Sequence, residues 1–315
     1  MNTCINKIRE LALELLDKKE VEKVIGFANG TIPLATSPIA ITSKQDIEKL
    51  VFNSTCGLNL ANYLRDQKGK IAVIAKGCDT RNIVTHIVEN QIKRDQLFII
   101  GVPCNGMIDQ FKIAALFNDE IIEFSEDGDT LNIKSSLKEE KLYKKDYLRE
   151  NCKVCMHKNP VIYDVLAMDL VEEQTLDNPY PDVDKIEAMD SDKKWQHFQD
   201  LTKNCIRCYA CKNACPLCYC PTCFVDESSP QWVGKGQNKT DVNTFHYLRA
   251  FHCAGRCTDC GACVQACPMD INVRDFTRKL NKDSFEMFGW EAGLDITKRP
   301  PLDAYSPDDP DDFIK

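Results

Sequence analysis

No apolar run in this sequence is long enough to cross a bilayer; the longest, Ile71–Ala75 and Leu97–Val102, are strand-length. Basic excess is also missing. Forty Lys and Arg stand against 48 Asp and Glu, a net charge of −8, and no basic cluster offers the electrostatic footprint of a nucleic-acid partner. The first residues lack a charged-then-apolar leader, because Glu10 and Glu14 interrupt them, so a cytoplasmic chain is expected. Low-complexity sequence is absent and 43% of residues are apolar, which excludes collagen-like, mucin-like and wholly disordered chains. Neither G-x-G-x-x-G nor a Walker loop occurs, so nothing independent signals a flavin or nucleotide.

Cysteine, by contrast, is abundant. There are 18 in 315 residues, and 12 of them lie between Cys205 and Cys267. A secreted disulfide scaffold would be short and led by a signal peptide. In a reducing compartment such density reads as metal-binding or catalytic sulfur, and the oxidation liability of so many thiols points to an anaerobic cell.

The length suits about two domains. Residues 5–19 carry apolar side chains at helical spacing. Extended runs follow at 23–28 and 34–41, broken by Asn29-Gly30, Pro33 and Pro38. Ser43 and Asp46 sign the start of a helix to about Phe52. Then come a buried strand at 70–75, a helix at 79–88, a second buried strand at 96–102 and a helix after Asn105. Continuous apolar strands alternating with helices predict a mainly parallel sheet covered on both faces. Segments 120–125 and 130–134, around Asp127-Gly128-Asp129, read as a hairpin. The expected layout is an α/β domain at 1–170, a polar linker at 171–200, a small α+β bacterial-ferredoxin-like dicluster domain at 201–280, and an irregular tail at 281–315. The tail, with four prolines and five aspartates from Arg299 on, is suited to wrap a neighbouring subunit.

The strongest motif is Cys205-x2-Cys208-x2-Cys211-x3-Cys215-Pro216, repeated as Cys257-x2-Cys260-x2-Cys263-x3-Cys267-Pro268. This is the bacterial ferredoxin run, twice. A C-x2-C-x2-C loop wraps three corners of an iron–sulfur cubane, and the fourth thiolate reaches across to the other cluster. Cys205, Cys208, Cys211 and Cys267 are therefore expected to hold one [4Fe–4S] cluster, and Cys257, Cys260, Cys263 and Cys215 a second. Structural zinc, held by isolated C-x2-C pairs, is the rival. Cys218, Cys220, Cys223 and Cys253 fit no ligand spacing and stand either as a further metal site or as buried small apolar groups. His157, His246 and His252 read as structural or surface residues.

A third set lies in the first domain. Cys78 and Cys104 close the two buried strands, at the crevice where open α/β sheets bind ligands and where helix N-termini favour negative charge. With Cys152 and Cys155 they make four thiolates, enough for a third cubane; the alternative is two buried strand-end thiols and a solitary C-x2-C. Cys4 and Cys56 have no partners at useful spacing.

At IAVIAKGCD (71–79), LFIIGVPCNG (97–106) and NCKVCMHKNPVIYDVLAMDL (151–170) the chain resembles the β-subunit family of coenzyme F-420-reducing hydrogenases and formate dehydrogenases. The resemblance covers residues 45–170, while 205–267 resembles a two-cluster ferredoxin insert. It implies an iron–sulfur flavoprotein whose FAD exchanges electrons with a deazaflavin inside a hydrogenase, formate dehydrogenase or heterodisulfide-reductase-linked assembly. The long family segment after the C-x2-C pair is missing here, which bears on both the FAD and the deazaflavin site. Two functions follow. One is an electron-transfer subunit relaying electrons between other subunits of a redox complex. The other is a catalytic subunit with FAD at the strand-end crevice, where Lys76, Asp79, Thr80 and Asn105 would line the cofactor. A zinc-stabilised scaffold is the third and weakest reading.

Overall fold

The structure, a computed structural model, describes residues 2–303; the acidic end of the tail lies outside them. It separates into two compact units, one within Met1–Ile83 and Asn90–Leu176, the other within Val84–Glu89 and Asp177–Lys315. No helix among the described residues is long and apolar enough to cross a membrane.

The first unit begins with helix α1 (Asn2–Asp17), which buries Ile8, Ala12 and Leu15 at helical spacing. Strands β1 (Lys23–Asn29) and β2 (Thr36–Ile41) pair antiparallel. Strand β3 (Ile71–Ala75) runs parallel to β1 and is buried at all five positions. Helix α2 (Gly77–Val88) follows it directly, and β4 (Leu97–Gly101) lies parallel to β3. The two-residue β8 (Val165–Leu166) completes a five-stranded sheet ordered β2-β1-β3-β4-β8. The sheet is mixed, mainly parallel. Its one antiparallel member is the edge strand β2, where Pro38, lacking a donor, faces Phe27 of β1. Ile74, Ile100, Val24 and Leu50 fill the core against α1.

Three local expectations change. The helix signed by Ser43 is a short 3-10 turn, Lys44–Lys49, capped by the Ser43 hydroxyl and ended by extended Leu50. The helix expected after Asn105 is α3 (Gln110–Ala114), started by Asp109, whose carboxylate accepts from Phe111 N and Lys112 N; before it Gly106, at φ +99°, holds a turn no β-carbon favours. The hairpin is a three-stranded sheet of β5 (Ile121–Asp127), β6 (Thr130–Ser135) and β7 (Glu139–Tyr143). Strand β7 escapes a sequence reading because only Leu142 among its residues packs into the cluster of Leu131 and Ile133. Helix α4 (Glu150–Lys153) ends the run before β8.

The polar stretch 171–200, which enters the second unit at Asp177, carries two helices rather than a bare linker. Helix α5 (Pro181–Glu187) has Pro181 at its start, and α6 (Ser191–Thr202) is capped by Asp190. The short α7 (Ala210–Asn213), the longer α8 (Lys239–His252), the short α9 (Ala262–Gln265) and α10 (Arg274–Phe288) follow. Charge pairs fix α5 to α10: Arg278 binds Asp182 at 2.8 Å and Lys282 binds Asp184 at 2.7 Å. The region shows so little apolar periodicity because these pairs do much of the joining.

At the end of β3, Lys76 and Asp79 form an ion pair at 2.8 Å with side chains 1% and 0% exposed. Removing one partner leaves the other charge buried alone. Lys76→Met is therefore expected to destabilise the chain by about 3–5 kcal/mol in equilibrium urea unfolding followed by circular dichroism, and joint replacement of both by apolar residues by clearly less.

Candidate metal centres

The parallel register sets Ala75 beside Gly101, so the segments carrying Cys78 and Cys104 leave adjacent strands at one level. Cys104 lies in the loop after β4, Cys152 in α4 and Cys155 just beyond it. Backbone amides approach two of the sulfurs: Gly106 N lies 3.3 Å from Cys104 Sγ, and Met107 N 3.3 Å from Cys152 Sγ. Burial, reinforced by Cys152, pushes the Cys104 thiol up to about 12, while the Gly106 amide and Lys76 pull it back. Burial works against the Lys76 charge, yet Asp79, Cys78 and Cys104 outweigh it and hold its pKa above the usual lysine range. Cys104 thus lies within electrostatic reach of Cys152 and Cys155, and Lys76 within that of Cys78 and Cys104. None of the four cysteines is in a disulfide.

Two close approaches hold this loop set together. A β-carbon on Gly77 would lie 2.4 Å from His157 O and 2.9 Å from Asn159 O, so the backbone after Cys155 seats directly on the glycine that precedes Cys78. Arg149, buried ahead of α4, donates from Nε to Ile108 O at 3.0 Å and from Nη1 to Gly57 O at 3.2 Å.

The residues expected around a flavin are used differently. The Asp79 carboxylate accepts from Lys76 N at 2.9 Å and Leu60 N at 3.0 Å. Lys76 Nζ reaches Leu58 O at 3.2 Å and stands over the Phe27 ring. Thr80 donates to Gly77 O at 2.9 Å and accepts from Val161 N at 3.0 Å. These three are buried and pin the first turn of α2; Asn105 is exposed on its loop. Buried groups already bound within the protein do not fit as donors to flavin phosphates.

In the second unit the two cysteine runs fold alike. Arg207 and Tyr209 have φ of 57° and 60°, and Asp259 and Gly261, at the matching positions, 55° and 72°. Each run then enters a four-residue helix, α7 or α9. Left-handed residues between right-handed ones turn successive amides to one side, the concave nest that receives anions. Asp259 N accordingly lies 3.4 Å from Cys257 Sγ. The first set lines a cavity together with Phe245, His246 and Ile271: Cys205, Cys208, Cys211 and Cys267 all border it. Burial raises the Cys211 thiol, with Cys205, Cys267 and Cys208 acting on it in the same sense against Arg249. Cys260 is raised by burial, with Cys215, Cys263 and Cys257 acting on it in the same sense. The structure brings Cys267 onto one cavity with Cys205, Cys208 and Cys211, and Cys215 lies within electrostatic reach of Cys260.

Three residues near these thiols carry no signal in the sequence. His246, 2% exposed, places Nε2 3.4 Å from Cys205 Sγ and stacks on Phe276; burial and then Arg249 lower its pKa to about 4. Arg249, 5% exposed, donates Nη2 to Cys211 O at 3.1 Å. Arg207 donates Nη1 to Gly236 O at 2.7 Å and also binds Gly234 O. Yet Arg249 Nε and Arg207 Nε and Nη2 are buried without any acceptor. Unpaired buried donors are rare, and donors facing a thiol set fit an anionic, sulfur-rich group. The spacing of i, i+3 on α8 could have joined His246 to Arg249, but nothing in the sequence shows which face of α8 meets the cysteines.

Cys215 has a second neighbourhood. Its sulfur and those of Cys218 and Cys253 all lie within 4.8 Å of one another, and hydrogen bonds from Cys218 and Cys253 hold the Cys215 thiol well below its ordinary value. Cys220 is exposed, Cys223 packs near Cys211, and Cys56 is a buried thiol raised to about 11 by burial.

No family model matches the chain. It is similar to the F420-dependent formate dehydrogenase subunit beta of Methanocaldococcus jannaschii, 26% identical over 365 aligned positions that take in 95% of this chain and 94% of that one. It is also similar to the F420-dependent formate dehydrogenase 1 subunit beta of Methanococcus maripaludis, 25% identical over 96% of this chain and 94% of the relative. A chain of the F420-reducing [NiFe] hydrogenase complex from Methanosarcina barkeri matches 50% of this chain and 59% of its own length at 13% identity, with a TM-score of 0.38. The likeness to formate dehydrogenase beta subunits thus extends well beyond residues 45–170 and takes in the cysteine-rich unit. Because 365 aligned positions exceed 315 residues, the relative carries stretches that this chain lacks.

The Gly77 contact is open to test. Gly77→Ala is expected to push the 157–159 backbone away, part Cys155 from Cys104 and lower the iron retained after anaerobic reconstitution by roughly one third, read by colorimetric iron assay. Unchanged iron would show that the strand-end set holds none.

Proposed function

We propose that the chain is an iron–sulfur electron-transfer subunit of a cytoplasmic anaerobic oxidoreductase complex, related to F420-dependent formate dehydrogenase beta subunits, with other redox subunits as its partners. The observation that carries this reading is the twin-loop geometry at 205–211 and 257–263, whose crossed fourth cysteines and acceptor-less arginines fit two [4Fe–4S] clusters. Cys205, Cys208, Cys211 and Cys267 hold the first, and Cys257, Cys260, Cys263 and Cys215 the second, within a ferredoxin-like domain at 201–280. Cys78, Cys104, Cys152 and Cys155 hold a third in the α/β domain at 1–170.

The clusters supply one-electron chemistry; the chain's own residues set its terms. Nest amides at Asp259 and the strand-end amides of Gly106 and Met107 lie toward sulfur and stabilise negative charge there. Arg249 places a fixed cation among Cys215, Cys263, Cys253 and Cys211. Phe245 and Phe276, packed around His246, keep water from the first set.

A second reading, a catalytic FAD-containing subunit exchanging electrons with a soluble deazaflavin, is favoured by one feature. The first unit has a cleft of about 430 Å³ lined by Tyr63, Arg65, Lys23 and Gln67, within the range of small-molecule sites. A ring and two cations, offset in part by Asp66 on the same wall, suit an anionic aromatic ligand. Release of a yellow, fluorescent compound on acid denaturation decides for it; a colourless supernatant leaves the relay.

The relay predicts about twelve iron atoms per chain on anaerobic analysis and a reduced-cubane signal in electron paramagnetic resonance after dithionite. About four or none would end it. Arg249→Met removes a cation that favours the reduced, more negative state. The midpoint potential of a cluster in the second unit is expected to fall by roughly 60 mV, a tenfold change in its one-electron equilibrium, as read by redox titration.

A further inference from the structure

We propose that Cys215, Cys218 and Cys253 form a site for one thiophilic divalent cation of the zinc class, in addition to the iron sites. Their three sulfurs lie within 4.8 Å of one another, and this is the one such grouping of metal-ligating side chains among the described residues. Zn–S bonds of 2.3 Å in a tetrahedron separate thiolates by about 3.8 Å, so the triad closes around a single ion with little movement. A cubane instead binds each thiolate at a different corner of an eight-atom body. Among the described residues no other three cysteine sulfurs lie this close together.

Local structure supplies the ligands as zinc sites usually do. Cys215 and Cys218 bracket a tight turn, with Cys218 N donating to Cys215 O at 3.1 Å, and Cys253 caps the end of α8, its N–H donating to Ala250 O at 2.9 Å. A C-x2-C turn facing a helix-end cysteine is a compact three-ligand frame. The site is largely buried and opens at Cys218: Cys215 and Cys253 are 9% and 2% exposed and pack with Leu217, while Cys218 is half-buried. Charge also balances. Three thiolates and a dication leave one negative charge, and the buried Arg249 guanidinium, in the field of Cys215 and Cys253, cancels it. The fourth coordination position falls to a water or an outside ligand.

Only at Cys215 does this site meet the iron reading; its thiolate sulfur, with more than one lone pair, would be shared between the zinc-class ion and the proposed second cluster. Cys218 and Cys253, which match no ferredoxin spacing, gain a role. Cys220, exposed, takes none.

The test uses the full-length chain, purified without oxygen from zinc-supplemented cells, with metals counted by mass spectrometry and the zinc shell read by K-edge X-ray absorption. The native chain is expected to hold one zinc with three sulfur neighbours at about 2.3 Å. Cys218→Ser/Cys253→Ser is expected to lose it at least tenfold with iron unchanged, and Cys220→Ser to keep it. Native protein without zinc, or zinc bound by nitrogen and oxygen, overturns the proposal. So does a double variant that keeps its zinc, or one that loses about four irons, since the pair would then serve a cubane. If the double variant fails to fold, the absorption spectrum of the native chain decides alone. Zinc present with iron absent would sink the relay and leave this site standing.

Discussion

A thiolate in a low-dielectric interior is unstable unless something positive or hydrogen-bonding stands beside it, and this constraint organises the molecule. The second unit buries Cys211, Cys215, Cys253 and Cys267, and burial drives the thiols of Cys205, Cys211, Cys257, Cys260 and Cys263 upward. Against that pressure stand few compensators. Arg249 is central, Arg207 guards the first loop, and Arg274 with Arg278 clamps Asp259 of the second at 2.6 and 3.2 Å. The first unit repeats the arrangement in small, with Lys76 balanced by Asp79 beside Cys78 and Cys104. Metal completes what these cations begin, because it takes up the negative charge outright.

The same constraint explains the choice of backbone. Amides are the only donors that can come close to sulfur without a side chain's bulk. At Arg207 and Tyr209 the left-handed conformation is adopted by residues with β-carbons, which costs of order 1 kcal/mol each; the second loop eases half of this with Gly261. Such strain persists where the surroundings fix it, and here packing of Arg207 over Tyr209 and Phe245 does so.

Much of the α/β unit was legible because β3 and β4 are continuous apolar runs and their cysteines fall at the strand ends. The antiparallel edge was not, since Pro38 only marks β2 as unfit for the sheet interior without giving its direction. Helix α5 hid because its attachment to α10 is largely ionic, and α6 because a single ring, Phe198 against Tyr247 and Phe276, carries much of its packing. The cysteine spacing announced the paired loops. It could not announce His246 or Arg249, whose meaning depends on which way α8 faces, nor the gathering of Cys218 and Cys253 about Cys215, which joins residues far apart in the chain. Lys76, Asp79 and Thr80 looked like ligand donors because they stand at a strand end, yet tertiary partners absorb them.

The stretch between the two cysteine runs would pass for a spacer, a detour the chain takes before repeating its motif. Its helix α8 instead returns to the middle of the repeat and delivers a guanidinium and an imidazole. Evolution is therefore free to lengthen or redraw the detour at its outer turns, but not to shift the register of α8 by a single residue. A swing of some 100° per residue would carry the counter-charge away from the sulfurs it neutralises and leave the duplicated motif intact in sequence and unable to hold its charge.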